Sequence, residues 1–67
     1  MHPSYMPPMK KARVLLGLTQ LELGKKCNLA RWKIWAIEKG AQKPTAEDKK
    51  AIAKALNEPI KTIFPRD

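Results

Sequence analysis

Arg31, Trp32, Lys33, Trp35 and Lys39 fall within nine residues, so this short stretch presents cations and indoles together. Cations hold phosphates and the acceptor edges of bases, and indoles supply apolar area, a π face and one N–H donor. That is binding chemistry, not covalent chemistry. His2 is the sole histidine and Cys27 the sole cysteine. No Ser/His/Asp, Cys/His or paired-carboxylate set can be assembled on one face, so an enzyme is not expected. One cysteine excludes an internal disulfide and a multi-cysteine zinc site, and no metal or cofactor is expected.

Fourteen Lys and Arg against six Asp and Glu leave a formal net charge of +8 on 67 residues. So strong a field on so small a surface favours a polyanion, either nucleic acid or an acidic membrane. Membrane binding calls for one long amphipathic helix with a clustered basic face. Here the cations are spread over several short segments, which favours double-stranded DNA and no membrane. Single-strand RNA readers stack bases on a sheet, and no strand pattern is present. No apolar run is long enough for a membrane span or a signal peptide, so a cytoplasmic location is expected. The length allows one domain with a small core and is expected to leave no room for a separate sensor.

The elements that must carry the cation–indole stretch follow from local signals. Residues 1–8, MHPSYMPP, carry three prolines and no helical period. A Pro-rich arm is expected there, ahead of a domain over 9–64 and a tail over 65–67. Pro8 suits the first turn of a helix, and Met9, Ala12, Arg13 and Leu16 follow at i, i+3, i+4 and i+7 as its apolar stripe. Gly17 closes it. Arg13 on that stripe needs a partner, because a guanidinium is seldom buried alone.

Thr19 with Glu22 is a capping box, and Leu23 and Cys27 repeat at helical spacing until Asn28, a residue that tolerates the left-handed conformation. Cys27 reads as a small core residue. A third helix follows at once, with Ile34 and Ile37 inward and Gly40 past its end. Two helices joined by so short a turn cross steeply, which is the helix-turn-helix geometry, here over 19–39. Thr45 caps a fourth helix, with Glu47 and Asp48 in its first turn and Ile52, Ala55 and Leu56 on its apolar edge. Asn57 ends it. Pro59 opens a last short helix through Ile60, Ile63 and Phe64. The fold class is all-α, a compact bundle of about five short helices.

A helical wheel sorts the third helix. With Ile34 and Ile37 inward, Trp32, Ala36 and Lys39 form the outermost stripe at i, i+4 and i+7. Lys33 and Trp35 take the flanks and Arg31 the exposed front end.

The ordered set Arg13, Gly17-Leu18-Thr19-Gln20, Glu22-Leu23, Ile34, Ile37-Glu38, Gly40, Pro44, Ala55-Leu56 and Ile63-Phe64 resembles the Cro/CI-type, or XRE, helix-turn-helix family. Phage repressors are among its members. The resemblance covers 9–64 and implies a lambda-repressor-like domain, bacterial or phage-encoded. It implies a partner for Arg13: the glutamate matching Glu38, in a partly buried, fork-type structural salt bridge. It also implies a sequence-specific transcriptional regulator, a repressor acting as a homodimer on a palindromic operator, with helix 31–39 in the major groove.

The family's base-contacting positions correspond to Arg31, Trp32 and Ala36, with Lys33 and Trp35 in the second row. Arg31 suits a bidentate contact with guanine. Trp32 suits a thymine methyl or a sugar, with Ala36 leaving room for a second methyl. Trp35 suits either DNA or a neighbouring helix. Gln20, Lys33, Lys39 and Lys43 are expected on phosphates. Pro59, Ile60, Ile63 and Phe64 are expected to form the dimer surface or, for the last two, to close the monomer's own core. The alternative is an antitoxin-like or other protein-interaction module that offers the Trp face or the arm to a protein partner.

Three positions depart from the family pattern. Gly24 stands where Ala is usual, which keeps the space open at a cost to the helix of ~1 kcal/mol. Ala30 replaces the Ser or Thr that normally caps the third helix. Lys49 and Lys50 replace leucines in the fourth, so a thinner core or a rotated helix is expected there.

Overall fold

Two capping boxes and three left-handed residues set half of the helix ends among the described residues. The computed structural model describes residues 7–65. Its helices are α1 Pro8–Leu15, α2 Gln20–Cys27, α3 Arg31–Lys39, α4 Ala46–Leu56 and α5 Ile60–Ile63. At the start of α2, Glu22 N–H donates to Thr19 Oγ1 at 3.0 Å and Thr19 N–H donates to Glu22 Oε1 at 2.8 Å. The bond from the Thr19 backbone holds the Glu22 carboxyl below the ordinary carboxylate range. The same box opens α4, with Asp48 in the place Glu usually takes: Asp48 N–H to Thr45 Oγ1 is 3.0 Å and Thr45 N–H to Asp48 Oδ2 is 3.1 Å. Asn28 (φ 60°) ends α2, Gly40 (φ 77°) ends α3 and Asn57 (φ 58°) ends α4.

These ends let α2 pack on α3 and α4, and α5 pack on α1 and α4. The core they enclose is Met9, Leu23, Cys27, Ile34, Ile37, Ile52, Leu56, Ile63 and Phe64. Leu23, Ile34 and Ile52 are fully buried, one each from α2, α3 and α4. Each contributes about 1.5–3 kcal/mol by leaving water, and together they fix the angle at which α3 lies across α2. Cys27 is one of the core residues, its Sγ 3.6 Å from the Ala51 carbonyl. Burial, with the Asp48 charge nearby, pushes its thiol above the ordinary value and keeps it protonated.

Several expectations change. Leu16, expected on the buried stripe of α1, is 53% exposed. The helix stops at Leu15, Gly17 turns at φ 71°, and Leu18 packs against the core instead. Pro8 belongs to α1 rather than to the arm; the rest of the expected arm up to Met6, and the tail beyond Pro65, lie outside the described residues. Ile63 and Phe64 are buried in the monomer, so of the four residues expected at a dimer surface only Pro59 and Ile60 are exposed. Lys50 is exposed, and α4 turns Asp48, Ile52, Ala53 and Leu56 inward.

Gly24 does more than keep space open. A β-carbon there would stand 2.5 Å from the Leu29 carbonyl oxygen. The turn has closed onto the bare glycine, and Leu29 N–H donates back to the Gly24 carbonyl at 2.8 Å. The three-residue link Asn28-Leu29-Ala30 is as tight as it is because position 24 has no side chain.

Candidate nucleic-acid interface

The geometry of α3 is fixed from behind. Arg13 reaches across from α1, its Nε donating to Glu38 Oε2 at 2.6 Å and its Nη2 to Glu38 Oε1 at 3.2 Å. Its third nitrogen, Nη1, donates to the Leu18 carbonyl at 2.8 Å. Arg13 and Glu38 are both buried, so the fork is formed away from water. Gln20, the first residue of α2, adds a donor: its Nε2 lies 3.1 Å from Glu38 Oε1. The end of α3 is thereby tied to α1 and to the start of α2 through one carboxylate. Every buried side-chain nitrogen and oxygen among the described residues has a partner.

With its back fixed, α3 turns Arg31, Trp32, Trp35 and Lys39 to the outside. Trp32 is 63% exposed and Trp35 48% exposed, which is far beyond what core indoles show. The Lys39 ammonium sits 5.2 Å from the centre of the Trp35 ring, a cation–π contact that holds both side chains on the surface. Lys43, in the loop after Gly40, is exposed as well. Three cations and two indoles thus lie on or beside one exposed helix.

Three of the expected contact residues are placed differently. Ala36 is only 7% exposed, not outermost. The wheel considers the helix alone, but beyond Gly40 the chain folds back, and the N–H groups of Ala41 and Gln42 reach the Ala36 carbonyl at 2.9 and 3.3 Å. Its methyl is covered and has nothing to offer a base. Lys33 is not a free cation: its Nζ lies 3.3 Å from Asp48 Oδ2 on α4. Gln20 has one amide hydrogen committed to Glu38.

Asp48, placed by the sequence only in the first turn of α4, has a capping and pairing role that sequence reasoning missed. Burial alone would raise its carboxyl, yet the bond from the Thr45 backbone and the Lys33 ammonium hold it below the ordinary range. The signal was present in the order Thr45-Ala46-Glu47-Asp48, a capping box with Asp in third place, but Lys33 becomes its partner only once α3 and α4 dock. Ala30 offers no side-chain cap, as its identity implies, although its backbone (φ −66°, ψ 150°) is that of a capping residue. Among the described residues no group of His, Cys, Asp and Glu could hold a metal ion, and no helix is long and apolar enough to cross a membrane.

A family model described as helix-turn-helix matches residues 9–63. The solution structure of the P22 c2 repressor DNA-binding domain superposes with a TM-score of 0.82 at 25% identity, covering 100% of this chain and 90% of that one. The restriction-modification controller protein C.AhdI from Aeromonas hydrophila gives 0.81 at 23% identity, covering 85% of this chain and 86% of that one. A single-residue variant of the controller protein C.Esp1396I gives 0.73 at 32% identity, covering 90% and 88%. Comparison with curated proteins returns no significant match. The family match and the fold place this chain among DNA-binding transcription regulators of the helix-turn-helix class. The chain belongs to the Cro/CI-type, or XRE, helix-turn-helix family.

Proposed function

We propose that the protein is a transcriptional repressor that binds a palindromic operator as a homodimer, with α3 of each copy in the major groove. The observation that carries this is the outward face of α3, where Arg31, Trp32, Trp35 and Lys39 stand exposed on a helix braced from behind by Glu38. An α-helix fits the major groove, and a helix-turn-helix presents the front of its second helix to base edges. Arg31, Trp32 and Trp35 take the base edges; Lys39, Lys43 and the remaining amide hydrogen of Gln20 take phosphates. Lys33 serves α4 first and DNA second. The P22 c2 repressor, which this chain resembles along its length, is known in complex with a synthetic operator.

Two copies suit the dimensions. The body measures 32 × 23 × 21 Å, so copies fit side by side on half-sites one turn, about 34 Å, apart. The dimer surface that fits best is the groove between α1 and α5, about 470 Å³, lined by Ala12, Leu15, Leu16, Leu56 and Thr62 with Lys11 and Glu58 at its sides. A two-fold contact pairs residue i with j and j with i. Lys11 of each copy can therefore meet Glu58 of the other around an apolar centre.

A second reading rests on the same two indoles: exposed tryptophans also suit a protein interface, as in an antitoxin-like module. Selection from a random duplex library at fixed salt, with wild type and Arg31→Ala, separates the two. A palindromic consensus that relaxes at a guanine in the variant supports the repressor. Its affinity should fall with salt at a log-log slope of about −0.9 per phosphate neutralised. Recovery of no motif, with a protein partner retained at high salt, supports the interaction module.

A further inference from the structure

Every polar group on the outward side chains of α3 is a donor. Arg31 brings its guanidinium, Trp32 and Trp35 one indole N–H each, and Lys39 its ammonium. Between them lies indole surface and no oxygen. The helix has one carboxylate, Glu38, and it is buried on the opposite side. Its Oε2 takes Arg13 Nε, and its Oε1 takes Arg13 Nη2 and Gln20 Nε2. The other cation of the helix, Lys33, is drawn away to Asp48. The fold has therefore removed the only charged acceptor from this helix's exposed face.

Such a face cannot treat the four bases alike. In the major groove guanine shows two acceptors, N7 and O6, and thymine shows the O4 acceptor beside its C5-methyl group. Adenine N6 and cytosine N4 carry amino donors; adenine also shows an N7 acceptor, but next to that donor, so it cannot take the two-donor contact that guanine takes. A donor-only face leaves an amino group without water and without a partner, the costly state for a buried polar group. We infer that α3 selects keto bases: guanine under Arg31, and thymine with its methyl packed on Trp32. Because each base pair has one keto and one amino member, the selectivity also orients the half-site. Each base that α3 contacts is therefore G or T, on whichever strand of its pair carries it. The inference rests on the reading that this face meets the major groove, and adds which bases it takes there.

The test uses the intact chain and the duplex recovered by selection from a random library at fixed salt. In that duplex each thymine is replaced singly by deoxyuridine, which removes only the methyl, and each guanine by 7-deazaguanine, which removes only the N7 acceptor. One uracil position should weaken binding about four-fold, the effect of one buried methyl, and the loss should vanish in Trp32→Ala. One 7-deazaguanine position should weaken binding about five-fold or more, and the loss should vanish in Arg31→Ala. Both side chains are exposed, so neither variant disturbs the core. A contacted base that is A or C, or indifference to uracil at every position, overturns keto selection while DNA reading stands. Binding to no duplex overturns the DNA reading itself.

Discussion

Glu38 accepts from Arg13 Nε at 2.6 Å in the interior of the domain, and this one pair joins the first helix to the end of the third. Two charges removed from water are tolerable only together, because the desolvation of each is offset by the other and by the added bonds from Arg13 to Leu18 and from Gln20 to Glu38. The first prediction follows from that asymmetry. Arg13→Met or Glu38→Met alone should cost about 3–5 kcal/mol, which is most of the stability of a domain this small. The double variant should lose less than the worse single. Denaturant unfolding of the four proteins measures this, and strictly additive costs would show that the two side chains are not coupled.

Gly24 sits inside α2, where alanine would raise helix propensity by ~1 kcal/mol. The β-carbon would nevertheless stand 2.5 Å from the Leu29 carbonyl, a backbone atom held by the turn and unable to swing aside. Strain of this kind typically costs about 1–3 kcal/mol. Gly24→Ala should therefore lower the denaturant midpoint despite its better helix former. A rise would mean that the turn relaxes freely.

What could be read from the sequence was whatever depended on neighbours in the chain. Thr19 with Glu22, Asn28 before the third helix, Gly40 after it and Asn57 after the fourth all act within a few residues, and each stands where the pattern put it. Arg13 was conspicuous because a charge on an apolar stripe demands a partner. Errors arose where a distant segment intervened. Ala36 is outward on an isolated helix but lies under the chain that returns after Gly40. Lys33, expected on phosphates, instead meets Asp48 at 3.3 Å once α4 docks. At Leu16 the helix simply ended one residue too soon for its side chain to reach the core.

Asp48 supplies a pH dependence. Its carboxyl is held below the ordinary range in the folded chain, so near pH ~4 the unfolded chain binds a proton that the folded one refuses. The stabilisation is complete at neutral pH and is lost as pH falls through the folded value. Glu22, shifted the same way, acts in the same direction. The melting temperature should drop between about pH 5 and about pH 3. Asp48→Asn should begin lower at neutral pH and fall less steeply. Parallel profiles for the two proteins would remove Asp48 as the cause.

Leu15 is 77% exposed beside the α1–α5 groove. A glutamate there adds no strain to the monomer but sets charge into the apolar contact proposed between copies. Leu15→Glu should leave the unfolding midpoint at low concentration within about 0.5 kcal/mol of wild type. It should shift sedimentation equilibrium toward monomer and weaken operator binding by the lost second half-site. An unchanged dimer would move the interface elsewhere.

Ala30 is the last test, because it separates stability of the scaffold from readiness of the reading helix. Its backbone already has capping geometry, yet no side chain reaches the first-turn N–H groups of α3. A serine hydroxyl at this position can accept from one of them, worth about 1 kcal/mol. In a domain of this size that raises the melting temperature by roughly 4–8 °C. Arg31 and Trp32 follow immediately, so a first turn that frays in the wild type must be ordered when DNA binds. Ala30→Ser should therefore tighten operator binding as well as raise the melting temperature, with most of the gain in a slower off-rate. A higher melting temperature with unchanged affinity would show that the front of α3 is already ordered before it meets DNA.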